Sequence, residues 1–319
     1  MPTRVYPSPE RLLEMPLRPK GFCRKVVEIG PDLVALWSGN GGLATKFARR
    51  ARDWFEKQRP TEDEMRQFLS ACCHDLTEGL WVIMVSALTP VYFMVGSVVH
   101  ASAPFVGEYT VAGNGKEIFI SMVNEMPARE EGGLEPAMDA LRIASDLLAR
   151  EIVTKDTIIS GFGGAYEVLY QGPGGFERVN DVMYALARVN LKTMDIGHYS
   201  HALRQWYEGN QLCIASTSNP VAHRQGVESM RFEIPDILGQ PSHSTRTIDT
   251  LTTAPQYLCI HYMFETEGRF LPSTMIMRGD AIEQNFTLSL SGRELTFEPT
   301  AAYMASVRER AEQMRNQMH

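Results

Sequence analysis

The chain has 319 residues, 44% of them apolar and 22% charged, with a net charge of -7. That length buries a sizeable core, as one large domain or two, and the composition is that of an ordinary globular protein. The acidic balance, with no run of Lys and Arg, gives no reason to expect a nucleic-acid or anionic-membrane binder, which needs a basic face.

The five cysteines, Cys23, Cys72, Cys73, Cys213 and Cys259, are odd in number and lack CxxC spacing, which points to reduced thiols rather than a disulfide framework. The first twenty residues contain no apolar signal-peptide core. The longest near-continuous apolar run, Trp81 to Leu88, falls short of the ~18 residues that span a bilayer. The expectation is a soluble, cytoplasmic protein.

Residues 1–21 carry Pro2, Pro7, Pro9, Pro16 and Pro19 and read as an extended lead-in. Two short strands, 25–29 and 33–37, flank a turn at Gly30-Pro31-Asp32. After Gly39-Asn40-Gly41-Gly42, the series Leu43, Phe47, Ala51, Trp54/Phe55 has helical period, with Arg49, Arg50, Arg52 and Lys57 outside. Thr61 followed by Glu64 has capping-box spacing and opens a second helix that runs to about His74.

Trp81–Leu88 and Val91–Val99 are apolar, β-branched runs joined by Thr89-Pro90. They read as antiparallel strands covered on both faces. The stretch from Leu80 to Ile120 ends in a second glycine turn at Gly113-Asn114-Gly115. A third helix occupies about Leu134–Ile152, and Thr157–Tyr170 returns to strand. Gly172-Pro173-Gly174-Gly175 is a hairpin turn into Phe176–Leu191. Beyond residue 195 the spacing predicts a short helix over Ile196–Glu208, then strands and Ser/Thr/Pro-rich loops through Glu265. Antiparallel strands follow over Phe270–Phe297, and a charged helix over Pro299–Met318.

This order of elements resembles the core of a proteasome subunit, the αββα N-terminal-nucleophile (Ntn) hydrolase fold. The segments that carry the resemblance are Lys25-Val-Val-Glu-Ile with Asp32-Leu-Val-Ala-Leu-Trp-Ser-Gly, then Tyr109-Thr-Val-Ala-Gly-Asn-Gly, then Lys155-Asp156 with Ser160-Gly161. They cover roughly residues 22–190. In catalytic members a processed N-terminal Thr attacks the carbonyl with its own amine as base. A lysine one strand before the glycine turn assists proton transfer, and the turn's backbone forms the oxyanion hole. The resemblance thus implies Thr3 as the candidate nucleophile, Lys25 and Gly39 as its helpers, and Asn114, Asp156 and Ser160 near the supporting positions.

The departures imply something else. The chain starts too close to Lys25 to hold the family's first two strands in full. Asn114 stands where the family keeps a serine, and the Asp156–Ser160 interval is one residue longer than the family pattern. Removal of Met1 alone leaves a prolyl terminus rather than Thr3. The expectation is therefore a non-catalytic, proteasome-like subunit acting as an assembly or interaction component of a homo-oligomer, such as a ring, with other protein subunits as further candidate partners. The alternative is an active Ntn-type amide or peptide hydrolase.

A third reading starts from Gly39-Asn40-Gly41-Gly42-Leu43-Ala44, which fits a dinucleotide fingerprint but lacks the following parallel strand. Cys72-Cys73-His74-Asp75 reads as a buried helix end, and His198, His201 and His223 lack a matching fourth metal ligand. No cofactor and no metal are expected. The commitment is an α+β, four-layer αββα core over 22–195, with a β-rich extension over 196–319 that ends in a helix.

Overall fold

A computed structural model of the protein describes residues 24–30, 32–55, 60–76, 79–87, 92–95, 98–113, 115–127, 135–154, 166–197, 199, 201–218, 230–239, 253–266, 269–291 and 294–317. Thr3 and the rest of the lead-in, Asn114, Asp156, Ser160, His198 and His223 lie outside the described residues. The described chain is α+β and divides into two compact units. One holds the described residues of Met1–Ala140, Thr154–Arg178 and Ile234–Ser242; the other holds those of Leu141–Val153, Val179–Glu233 and His243–His319.

In the first unit, β1 (Val26–Gly30), β2 (Leu33–Gly39), β3 (Leu80–Ser86) and β4 (Tyr92–Val95) form an antiparallel sheet in that order. Helices α1 (Gly41–Phe55) and α2 (Glu62–Leu76) follow β2. Alternate strand residues, among them Ile29, Leu33, Ala35, Trp37, Val82 and Met84, form one buried cluster with Ala44, Phe47, Ala48, Ala51, Phe55, Met65 and Phe68 of the two helices. That is the pleat of a strand meeting the 3.6-residue period of a helix.

Both helix starts are capped. Asn40 Oδ1 accepts from the amides of Gly42 (2.9 Å) and Leu43 (3.2 Å). At α2, the Thr61 amide donates to Glu64 Oε2 (2.8 Å) and the Glu64 amide to Thr61 Oγ1 (3.3 Å), the expected capping box.

The first unit also contains the hairpins β5 (Val98–Ala103)–β6 (Gly107–Ala112) and β7 (Leu169–Gly172)–β8 (Gly175–Arg178), the latter closed by Pro173-Gly174 as expected. Helix α3 (Lys116–Glu125) follows Gly115, where the sequence pattern singled out no helix. Helix α4 (Pro136–Thr154) stands where the third helix is expected.

The second unit is built on one sheet in the order β13 (Met230–Ile234), β12 (Gln211–Ser218), β11 (His201–Glu208), β9 (Asp181–Asn190), β14 (Tyr257–Thr266), β15 (Arg269–Arg278). A short β10 (Asp195–Ile196) pairs with β9. Strand β14 runs parallel to β9 and antiparallel to β15. Short helix α5 (Gly279–Asn285), hairpin β16 (Phe286–Ser291)–β17 (Glu294–Pro299) and helix α6 (Ala301–Gln317) complete the unit.

Helices cover both faces of this sheet. On one, Ala149 of α4 packs on Leu186 and Met263. On the other, Leu258, Ile260, Tyr262 and Phe264 meet Tyr303, Val307 and Ala311 of α6.

One expectation is corrected here. Ile196–Glu208 is not a helix: its first residue ends β10, and His201–Glu208 is strand β11, paired on both sides, with β9 and β12. Pairing on both sides overrides the helical spacing of this segment. Among the described residues, no helix is long and apolar enough to cross a membrane.

Candidate functional site

The site is built where β2 runs into α1. Gly39 sits at φ +104°, and a Cβ there would lie 2.1 Å from the Gly79 carbonyl oxygen, so only glycine fits. The Asn40 amide donates to that same oxygen (2.7 Å), which fixes the turn against the start of β3. The second glycine turn comes to the first. A Cβ on Gly113, at φ +97°, would stand 3.1 Å from Ser38 Oγ and 3.4 Å from Ser38 Cβ. Two glycine turns separated by more than seventy residues of sequence therefore meet at Ser38.

Lys25 lies on the other side of this sheet. Its backbone carbonyl accepts from the Trp37 amide (3.0 Å), so the two residues are opposite each other across the β1–β2 pair. Its Nζ sits 3.6 Å from the Trp37 ring centroid, a cation–π contact. Trp37 is buried in the helix-covered cluster, whereas Ser38, the next residue of the strand, points to the opposite face. The Lys25 ammonium and the Ser38 hydroxyl are thus divided by β2 itself.

The start of β1 is anchored by buried charge. Arg24 Nε donates to Glu167 Oε1 (2.6 Å), and Glu167 Oε2 accepts from the amides of Lys25 (3.1 Å) and Val26 (3.3 Å). Arg24 also lies 3.7 Å from Glu28, which pairs in turn with Arg178. The Trp37 indole donates to the Arg24 carbonyl (3.1 Å), tying this network to the turn. Nearby, Arg52 of α1 pairs with Asp236 (2.9 Å), and the Arg24 amide donates to the Pro235 carbonyl (3.0 Å).

Of the sequence-derived site residues, Lys25 and Gly39 are described, and both flank the β2–α1 junction. Thr3, Asp156 and Ser160 lie outside the described residues, as does Asn114, although its neighbours Gly113 and Gly115 are described. The turn's chemistry is limited by its own bonding. The amides of Asn40, Gly42, Leu43 and Ala44 already donate within the protein, to the Gly79 carbonyl, to Asn40 Oδ1 and to the Asn40 carbonyl.

A second constellation, in the second unit, was not singled out from sequence. His261 Nδ1 lies 3.1 Å from Asp146 Oδ1 and 2.9 Å from Thr274 Oγ1, and Thr274 donates to Asp146 (2.5 Å). Cys259 stands two residues before His261, on the same face of β14. Burial and then the Asp146 charge push its thiol well up, so it is held as a neutral thiol and not as a nucleophile. The cluster ties α4 to the sheet. An apolar run such as Tyr257–Phe264 gives no hint that its one histidine has a carboxylate partner 115 residues earlier.

No protein-family model and no curated protein matches the chain.

Proposed function

We propose that this protein is a divergent, proteasome-subunit-like chain of the Ntn fold that works without catalysis, as an assembly or interaction component of a homo-oligomer. The observation that carries the reading is the meeting of the two glycine turns at Ser38 and Gly113. Both turns belong to the segments that carry the resemblance. The four-layer core is part of the same proposal, supported by the helix-covered antiparallel sheet of β1 to β4.

Two features favour the non-catalytic form over an amide hydrolase. Lys25 is stacked on Trp37 on the face of β2 away from Ser38, so its ammonium does not stand where it can relay a proton at the turn. Four amides of the turn, those of Asn40, Gly42, Leu43 and Ala44, already donate to protein oxygens, which leaves fewer for an oxyanion. The nucleotide reading is favoured by neither the sheet nor the turn. Strand β2 pairs antiparallel on both sides, and the α1 N-terminus is capped by Asn40 rather than open to a pyrophosphate.

The test joins two masses. Intact mass after exposure to an N-terminal-threonine-directed β-lactone is expected to show no adduct, and native mass spectrometry to show an oligomer. A stoichiometric adduct, with loss of Met1 and Pro2, would establish a working nucleophile at Thr3 and overturn the reading.

A further inference from the structure

The sheet of the second unit has one long open edge. Strand β15 (Arg269–Arg278) pairs with β14 along its ten residues, and among the described residues no strand pairs with its other side. The strand at the opposite edge, β13, has five residues.

A proline reports which groups face that edge. Along an antiparallel pair, residues whose N–H and C=O bond to the neighbour alternate with residues whose groups turn away. Pro272 has no N–H, so it belongs to the second set, with Thr274, Ile276 and Arg278. Two bonds agree with that parity. The Gly279 amide, an odd-numbered position just past the strand, donates inward to the Gln256 carbonyl (3.4 Å). The side chains of His261 and Thr274, directly opposite each other, approach to 2.9 Å, as in a pair without mutual backbone bonds.

Pro272 blunts only the first half of the edge. Past it, Thr274 and Ile276 turn amide and carbonyl outward, and the group that recognises such an edge is another strand. The sequence here matches itself. An antiparallel pairing about a two-fold axis at Ile276 sets Ile276 against its own copy, Met275 against Met277, and Thr274 against Arg278. In that register Pro272 falls outside the paired run, whereas a shift that brings it in sets its ring against a carbonyl. Met275 and Met277 are partly buried against the cluster beneath α6, so the pairing carries that core across the axis with adaptable side chains from each copy. The charged residues of the strand, Arg269 and Arg278, stand at its two ends and do not fall opposite each other.

We infer that β15 is a self-association edge, through which two copies of the chain pair antiparallel about Ile276 and join their sheets. The inference rests on the homo-oligomer part of the proposed function and names the surface that makes it.

Sedimentation equilibrium of the full chain over a range of concentrations tests it, with circular dichroism as the check on folding. I276K sets two like charges against each other at the axis and is expected to weaken dimerisation at least about 10-fold. I276P removes an outward-facing amide, as Pro272 does, and is expected to weaken dimerisation while leaving the β14–β15 ladder intact. I276C, mildly oxidised, should give a dimer whose peptide map joins position 276 to itself. The ~5.5 Å between Cα atoms of a hydrogen-bonded pair lies within disulfide range. I276K and I276P that dimerise as the wild type does, with I276C left uncrosslinked, would overturn the edge while leaving the homo-oligomer standing. A wild type that stays monomeric throughout would overturn both and leave the edge to an extended peptide of another protein.

Discussion

At the scale of single residues, Gly39 has the least freedom. Any other L-residue meets the Gly79 oxygen at 2.1 Å and must also hold φ at +104°. G39A is expected to cost about 2 kcal/mol or more of stability, read as a lowered urea midpoint, because strain and a backbone clash add. An unchanged midpoint would mean that the turn is not built this way. The phenols of the second unit make a second residue-scale test. Tyr199 and Tyr262 hydroxyls lie 2.9 Å apart, and Tyr262 donates to Tyr303 (2.9 Å). Burial pushes Tyr199 up to about 12, and pushes Tyr262 and Tyr303 up as well. The unfolded chain releases these protons near pH ~10, before the native state does. The unfolded state then binds fewer protons, so stability is full below about pH 10 and is lost as pH rises toward 12. Melting temperatures between pH 9 and 12 should fall for the wild type and fall less steeply for Y199F. Equal slopes would contradict the assignment.

At the scale of elements, the buried pair of Arg24 and Glu167 joins the start of β1 to the chain just before β7, 143 residues away. Both side chains are under 10% exposed, so removing one leaves the other charged and buried. R24M is expected to cost about 3 kcal/mol or more in urea unfolding, and R24M/E167L less than R24M alone, since both charges then leave together. A single-variant loss under about 1 kcal/mol would mean the pair is solvated. The same elements indicate what the sequence made legible. The α1 stripe and the Thr61–Glu64 box were readable because capping and helical period are local, and the hairpin at Gly172–Gly175 for the same reason. Strand β11 has helical spacing, but Gly209-Asn210 marks it as one arm of a hairpin. Glu208 pairs with Gln211, and Gly209 alone takes positive φ (58°) in that two-residue loop, the mark of a type II′ hairpin turn. Helix α3 was hidden by the β-branched run before it. The Arg24–Glu167 and His261–Asp146 partners were hidden because nothing local encodes a contact across more than a hundred residues.

At the scale of the whole molecule, the chain forms two compact units, and the sequence boundary near residue 195 does not coincide with theirs. Strand β9 reads as the close of the first half, yet it is hydrogen-bonded into the second unit's sheet between β11 and β14. Its parallel partner β14 begins more than sixty residues later, and a long-range parallel pairing leaves no trace in local pattern. The central claim is that the turns at Gly39 and Gly113 meet at Ser38. The double variant S38C/G113C tests it directly. A Cβ at position 113 would stand 3.4 Å from the Ser38 Cβ, just short of the ~3.5–4.5 Å of disulfides and within a small backbone adjustment of it. After mild oxidation, peptide mass mapping should find the segments around positions 38 and 113 joined by a disulfide. Both thiols still free and alkylated under the same conditions would contradict the account.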